Sequence, residues 1–248
     1  MPSLTELASY LESIAPAQDA ESWDNVGVLV RCAQEVTGVL CALDVTAATV
    51  REACAADCNV IVSHHPVIFR PLKALGQDDV PALLVRAGVS AVCMHTNLDK
   101  GGGGVNDMLA QALGLRDMEV FAGGIGRVGV LPEPMEPAAF AQFAGETLHT
   151  PVKLADAHGP VRRVAVVSGS GGDFVAQAAA AGADCLLTGE AGHHDALDAL
   201  AAGVTLVAAT HFATETGIAD VLAQRVAEAF PGLRVLRSAS DADPFLYF

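Results

Sequence analysis

Residues 55–65 read AADCNVIVSHH, and residues 182–194 read GADCLLTGEAGHH. Both place Asp-Cys ahead of a short apolar run and a His pair behind it. A brief apolar run bounded by turn residues has the length of a buried strand. A second match lies downstream of each. AGVSAVCMHTNLDKG (87–101) and AGVTLVAATHFATETG (202–217) both give Ala-Gly-Val, an apolar run, then His-x-x-x-acid-x-Gly. The later copy has one more residue before its histidine. Helical text follows in both, VNDMLAQAL (105–113) and IADVLAQRV (218–226), sharing Leu-Ala-Gln. Matches in the same order in two halves indicate a duplicated βαβ unit.

The surrounding text alternates in the same way. Ser3-Leu4-Thr5-Glu6 is a capping box that opens a helix to about residue 14. Strands are expected at 38–45, 59–63, 89–95, 163–168, 185–188 and 204–209. Helical spacing falls between them, at 46–57, 80–87, 105–113, 174–181, 194–201 and 218–230. This alternation predicts an α/β fold with largely parallel strands between helix layers. The proline-containing stretch LPEPMEP (131–137) is the best joint between the halves.

Composition bounds the rest. The chain has 248 residues, 52% hydrophobic and 17% charged, enough for a sizeable core and the opposite of a disordered balance. Its formal net charge is −15, and no basic stripe interrupts it, so nucleic acid is not an expected partner. An anionic small substrate needs a metal ion or local donors to reverse that field. The longest uncharged stretch, residues 199–214, holds Gly203 and His211 and is shorter than the ~20 apolar residues of a spanning helix. The opening text MPSLTELASYLESIA carries acidic residues and no basic segment before an apolar core, so no signal peptide is expected. None of the six cysteines forms Cys-x-x-Cys; they are expected as buried, reduced thiols of a cytoplasmic protein.

In open α/β sheets, sites form outside the carboxyl ends of strands. Six of the eight histidines sit there: His64, His65, His95, His193, His194 and His211. Asp99 and Glu215 follow two of them by four residues. Imidazole with carboxylate suits Zn, Fe, Mn or Co. One half would supply His64, His65 and Asp99, the other His211 and Glu215. Two carboxylates in one set suit a two-metal centre, because a carboxylate can bridge ions. Asp44 ends a strand and is placed to orient a ligand histidine.

Several segments resemble the Nif-three-like dinuclear metal-centre family, whose members go by the name GTP cyclohydrolase 1 type 2 homologue. They are ESWDNVGVLV (21–30), ALDVT (42–46), SHHPVIF (63–69), HTNLD (95–99), GIGRVG (124–129), SGSGG (168–172), TGEAGHHDALDAL (188–200) and HFATE (211–215). The resemblance spans almost the whole chain and matches the family's short form. It implies two intertwined α/β domains from an internal duplication, with mixed sheets flanked by helices. On that reading the first repeat is 1–125 and the second 126–248. It implies metal ligands at His64, His65, Asp99, His211 and Glu215, two divalent ions per chain, and a homo-oligomer, a ring-shaped hexamer. His193 departs from the family, where many relatives hold an aromatic residue.

Two functions follow as expectations. The first is a metal-dependent hydrolase acting on a nucleotide or other anionic small molecule, with His95 or His194 as the free acid–base group. The second is a non-catalytic metal-binding, storage or adaptor protein. The Lys100–Gly104 run and SGSGG read as tight turns or phosphate loops. Arg127 reads as an anion contact or a salt bridge. Trp23 reads as a packing or interface residue, or as a stacking surface. Ser63 lacks the elbow of a Ser–His–Asp hydrolase.

Overall fold

The structure is a computed structural model that describes residues 1–247. The chain forms two compact units, each discontinuous in sequence. Unit 1 is Met1–Gly102 with Thr216–Ala242; unit 2 is Gly103–Glu215 with residues 243–247. In chain order unit 1 begins with α1 (Leu4–Ile14), β1 (Gly27–Val30), β2 (Gly38–Ala42), α2 (Ala47–Ala55), β3 (Val60–Ser63), α3 (Val80–Ala87), β4 (Ser90–Cys93) and α4 (Thr96–Lys100). Unit 2 contributes α5 (Val105–Ala112), β5 (Arg116–Phe121), β6 (Gly126–Met135), α6 (Pro137–Leu148), β7 (Lys153–Ala155), β8 (Val161–Val167), α7 (Val175–Ala180), β9 (Cys185–Thr188), α8 (His193–Ala201), β10 (Thr205–Ala208) and α9 (His211–Glu215). The chain then returns to unit 1 with α10 (Ile218–Ala229) and β11 (Arg234–Arg237).

The α1 start is the capping box read in the sequence. The Ser3 hydroxyl accepts from the Glu6 amide at 3.1 Å, and the Glu6 carboxylate accepts the Ser3 amide at 2.7 Å. In unit 1 the strand order is β1-β4-β3-β2-β11, parallel except for β1 at the edge. Leu40, Ile61 and Ala91 point to one face, against Val50 and Ala53 of α2 and Leu84 of α3. Helix α10 packs against β2 and β11. In unit 2 the order is β5-β6-β8-β9-β10-β7, with β8, β9 and β10 parallel and the other pairings antiparallel. Alternation along β8 splits that core into two. Val164 and Val166 join α5 and α6 through Leu109 and Phe140, while Ala165 and Val167 join α7 and α8 through Ala178 and Ala199. Both sheets are thus mixed, with helices packed against them.

Three sequence expectations change. LPEPMEP is not a joint: its first five residues end β6 and Pro137 opens α6. Pro132 and Pro134 are tolerated because the β6–β8 register slips between Val130 and Met135, where no ladder donor is needed. A cut at 125/126 also differs from the compact units. Residues 103–125 lie in unit 2, and β11 lies in unit 1 because it pairs in parallel with β2, Arg234 opposite Gly38. Not every thiol is buried: Cys41, Cys58, Cys93 and Cys185 are, but Cys32 is half-buried and Cys54 exposed. All six are free thiols, and burial pushes Cys41 up to about 12. No described helix is long and apolar enough to cross a membrane.

Glu52 on α2 holds the segment after β11. Its carboxylate accepts from the Ser238 hydroxyl (2.5 Å) and the amides of Ala239 (2.8 Å) and Ser240 (3.0 Å). Burial pushes Glu52 up, but those bonds outweigh it and hold the carboxyl below its usual range. A depressed carboxylate stabilises above its unfolded pKa, and the effect fades as pH falls through the lower folded value. Glu52→Gln is therefore expected to lower stability by about 1–3 kcal/mol at pH 7. Denaturant melts at falling pH should show that gap closing below about pH 4.

Candidate metal centre

The donors of unit 1 stand at the carboxyl ends of its parallel strands. His64 and His65 leave β3, His95 leaves β4 as the residue before α4, and Asp99 lies in α4. His64 is fully buried, and His65 and His95 are half-buried. Candidate ligand atoms of these three rings lie within 4.8 Å of one another. Asp99 Oδ1 is 3.7 Å from His64 Nε2. All four expected unit 1 residues are therefore brought together, with His95 beside His64 and His65.

Each histidine is held by its Nδ1. That of His64 meets the Met94 carbonyl at 2.9 Å, that of His65 meets Asp44 Oδ1 at 2.9 Å, and that of His95 meets Asp24 Oδ1 at 2.8 Å. A carbonyl or an ionised carboxylate can only accept, so Nδ1 carries the proton and Nε2 the lone pair. Histidines that bind metals have this arrangement, because the acceptor fixes the ring and raises its basicity. Burial pushes Asp24 up, but hydrogen bonds from His95 and Thr96 outweigh it and keep the carboxyl well below its usual range. Thr96 donates to Asp24 Oδ2 through its amide (3.0 Å) and its hydroxyl (2.5 Å). Asp24 reaches His95 because β1 runs antiparallel to β4, with Gly27 opposite Cys93. The residues before β1 therefore lie beside those after β4. Asp44 is reached by the same logic, since it follows β2, the parallel neighbour of β3.

The donors of unit 2 follow β9 and β10. His211 Nε2 lies 3.0 Å from Glu215 Oε2, and Nδ1 lies 3.4 Å from Glu190 Oε2. Glu215 is buried. A separation of 3.0 Å matches two ligand atoms bound about 2.0–2.2 Å from one ion, so this pair also fits a metal. Counting from the strand ends, Gly189 and Glu190 stand where His64 and His65 stand. The repeat HH at 193–194 is not their equivalent, because four residues are inserted before it. His193 and His194 are exposed on the first turn of α8, their rings 5.6 Å apart.

Both glycine loops make contacts within the fold. Gly169 has φ +60, and a Cβ there would meet Glu215 Oε1 and lie 3.2 Å from His211 Nε2. Its amide donates to Thr214 Oγ1 at 3.1 Å, so SGSGG is a close lid over the His211–Glu215 pair. In the other loop Lys100 pairs with Glu21 at 2.7 Å, and the Gly103 amide donates to Asp107 at 2.5 Å. Arg127 is buried, bonded to Asp107 and to the carbonyls of Gly124 and Gly126. Its partner in the structure is the Asp107 carboxylate, the salt bridge of the two sequence readings.

The sequence reading gave Asp24 and Glu190 no role, although WDN and TGE were both within matched text. The signal available was an acid at the expected sheet end, but only strand register shows which histidine it meets.

A family model described as Duf34/NIF3 (NGG1p interacting factor 3) matches residues 2–244. The chain belongs to this family. A protein of Lactococcus lactis called "GTP cyclohydrolase 1 type 2 homolog" is 33% identical, covering 94% of this chain and 95% of its own. A protein of the same name from Streptomyces coelicolor is 34% identical, covering 87% and 82%. The crystal structure of a Staphylococcus aureus hypothetical protein superposes with a TM-score of 0.90 at 29% identity, covering 99% of both chains. A Bacillus cereus protein related to NIF3 gives 0.89 at 24% identity, a likeness of fold.

Two substitutions test this geometry. Asp24→Asn should leave His95 in a mixture of tautomers, read by long-range proton–nitrogen NMR of the imidazoles. A single Nδ1–H tautomer in the variant would show that something else fixes the ring. Gly169→Ala should cost roughly 1–2 kcal/mol for its left-handed backbone. It should also weaken divalent-metal binding by displacing Glu215; thermal melts and metal titration read the two effects.

Proposed function

We propose that this chain binds two divalent metal ions and is a metal-dependent hydrolase of an anionic small molecule. The ligands are His64, His65, Asp99, His211 and Glu215. The observation that carries this reading is the anchoring of all three unit 1 histidines through Nδ1. That pattern is costly to arrange by accident, since it needs three separate acceptors at three strand ends. Of the two carboxylates, Glu215 would be the one able to hold both ions, its longer arm and two oxygens suiting it better than Asp99.

Bound ions of this kind supply Lewis-acid polarisation and a nucleophile at neutral pH. The residues of the chain do the rest. His95 takes and returns a proton at Nε2, while ionised Asp24 at Nδ1 holds the ring and stabilises its charged form. His194 is a second acid–base group proposed on sequence grounds alone. Bound ions would offset the −15 field that otherwise repels an anion. The name shared by the Lactococcus and Streptomyces relatives favours a purine nucleotide as that anion. We further propose that the protein is cytoplasmic and works as a homo-oligomer, a hexamer.

Elemental analysis of fully loaded protein is expected to give two ions per chain, and one ion would overturn the dinuclear reading. Glu215→Gln keeps the size and removes the charge. It should lose at least one ion and all hydrolysis of nucleotides and phosphoesters, with the circular dichroism spectrum retained. Two ions held with unchanged affinity would assign the bridge elsewhere. A loaded chain that turns over none of these substrates would favour metal storage over hydrolysis. Light scattering at micromolar concentration should give a mass above that of the 25.4 kDa monomer.

A further inference from the structure

Beside the histidine cluster of unit 1 lie two large aromatic rings that the fold leaves in solvent. Trp23 is 58% exposed and Phe69 is 44% exposed. They pack edge to face, 5.8 Å between ring centroids. Each is also close to the His95 ring, Trp23 at 6.3 Å and Phe69 at 6.2 Å.

An exposed indole on a loose loop would be unremarkable, but this loop is pinned on both sides of Trp23. The Glu21 amide donates to Thr96 Oγ1 at 2.9 Å, Asp24 takes the bonds from His95 and Thr96, and Asn25 Nδ2 donates to the Ile68 carbonyl at 2.5 Å. The last bond ties the Trp23 segment directly to the Phe69 segment. The polar neighbours of Trp23 thus hold its backbone while the ring itself buries little. That arrangement presents a flat apolar face in a fixed place, next to a polar cluster. It suits a ligand with a flat ring at one end and charge at the other, because every nucleobase offers a π-face to stack on an indole.

We propose that Trp23 and Phe69 form a stacking subsite for the heteroaromatic ring of a purine nucleotide, placing the ring beside His95. This rests on the hydrolase reading for the direction in which the rest of the ligand points, but ring binding itself is measured without turnover. Trp23 is the only tryptophan of the chain, so fluorescence excited selectively at tryptophan, past the absorption of the two tyrosines, reports this site.

The test titrates the full-length protein with guanosine monophosphate, adenosine monophosphate and ribose 5-phosphate, with metal content measured on the same samples. Saturable quenching by both nucleotides and none by ribose 5-phosphate is the expected result. Phe69→Ala keeps the reporter and should weaken the nucleotide affinity by about tenfold, as loss of one ring contact implies. Trp23→Ala, followed by calorimetry, should weaken it at least as much while the melting temperature stays close to the parent's. Nucleotide quenching in a sample that holds no ion still supports the subsite, and the metal reading is judged separately on fully loaded protein. Absence of saturable quenching in folded protein overturns the proposal. So does nucleotide affinity unchanged in Trp23→Ala. Fluorescence that follows protein concentration rather than ligand would make the two rings a contact between copies of this chain, and would overturn it as well.

Discussion

An imidazole has two nitrogens, and a ring can serve a ligand with one only if the other is held. In unit 1 three histidines meet that condition at once, through a carbonyl and two carboxylates. Everything distinctive about this end of the sheet follows from that need. His64 is buried, so a ring without its Met94 contact would face the desolvation cost of an unmet polar group. Asp24 is itself held by Thr96, which keeps it an acceptor even in mild acid.

The scaffold meets the need through strand direction. Parallel strands deliver their following residues to one end, so Asp44, His64, His65 and His95 converge without any special loop. The antiparallel edge strand β1 adds the residues that precede it, which is how Asp24 and Trp23 come to the same place. Asp241, from the returning segment, accepts the Leu43 amide at 2.5 Å and so fixes the backbone that carries Asp44. A site at this sheet end thus depends on chain segments almost two hundred residues apart.

The second repeat uses the same strand ends with different residues. Glu190 stands at the position of His65, and Glu215 at that of Asp99. Where unit 1 surrounds its rings with acceptors, unit 2 places His211 between two carboxylates and closes Gly169 over them. Only glycine allows that approach, since a side chain at 169 would occupy the space of the Glu215 oxygen. The duplication therefore preserved a location rather than a ligand set.

The sequence by itself determined the α/β alternation, the capping box at Ser3, and the strand-end placement of His64, His65, His95, Asp99, His211 and Glu215. These are local properties: apolar period, a short-range hydrogen bond, and the residue that follows a strand. It missed β5, whose residues are nearly all exposed, and misread β6, whose prolines resemble a linker until a register slip accommodates them. It also mistook His193 and His194 for the partners of His64 and His65, because identity in the text outweighed distance from the strand. Only the tertiary structure decided that β11 joins β2, that Asp24 meets His95, and that Glu190 meets His211. The physical reason is that pairing between strands is set by hydrogen bonds across large sequence separations, and no local pattern encodes which neighbour a strand will find.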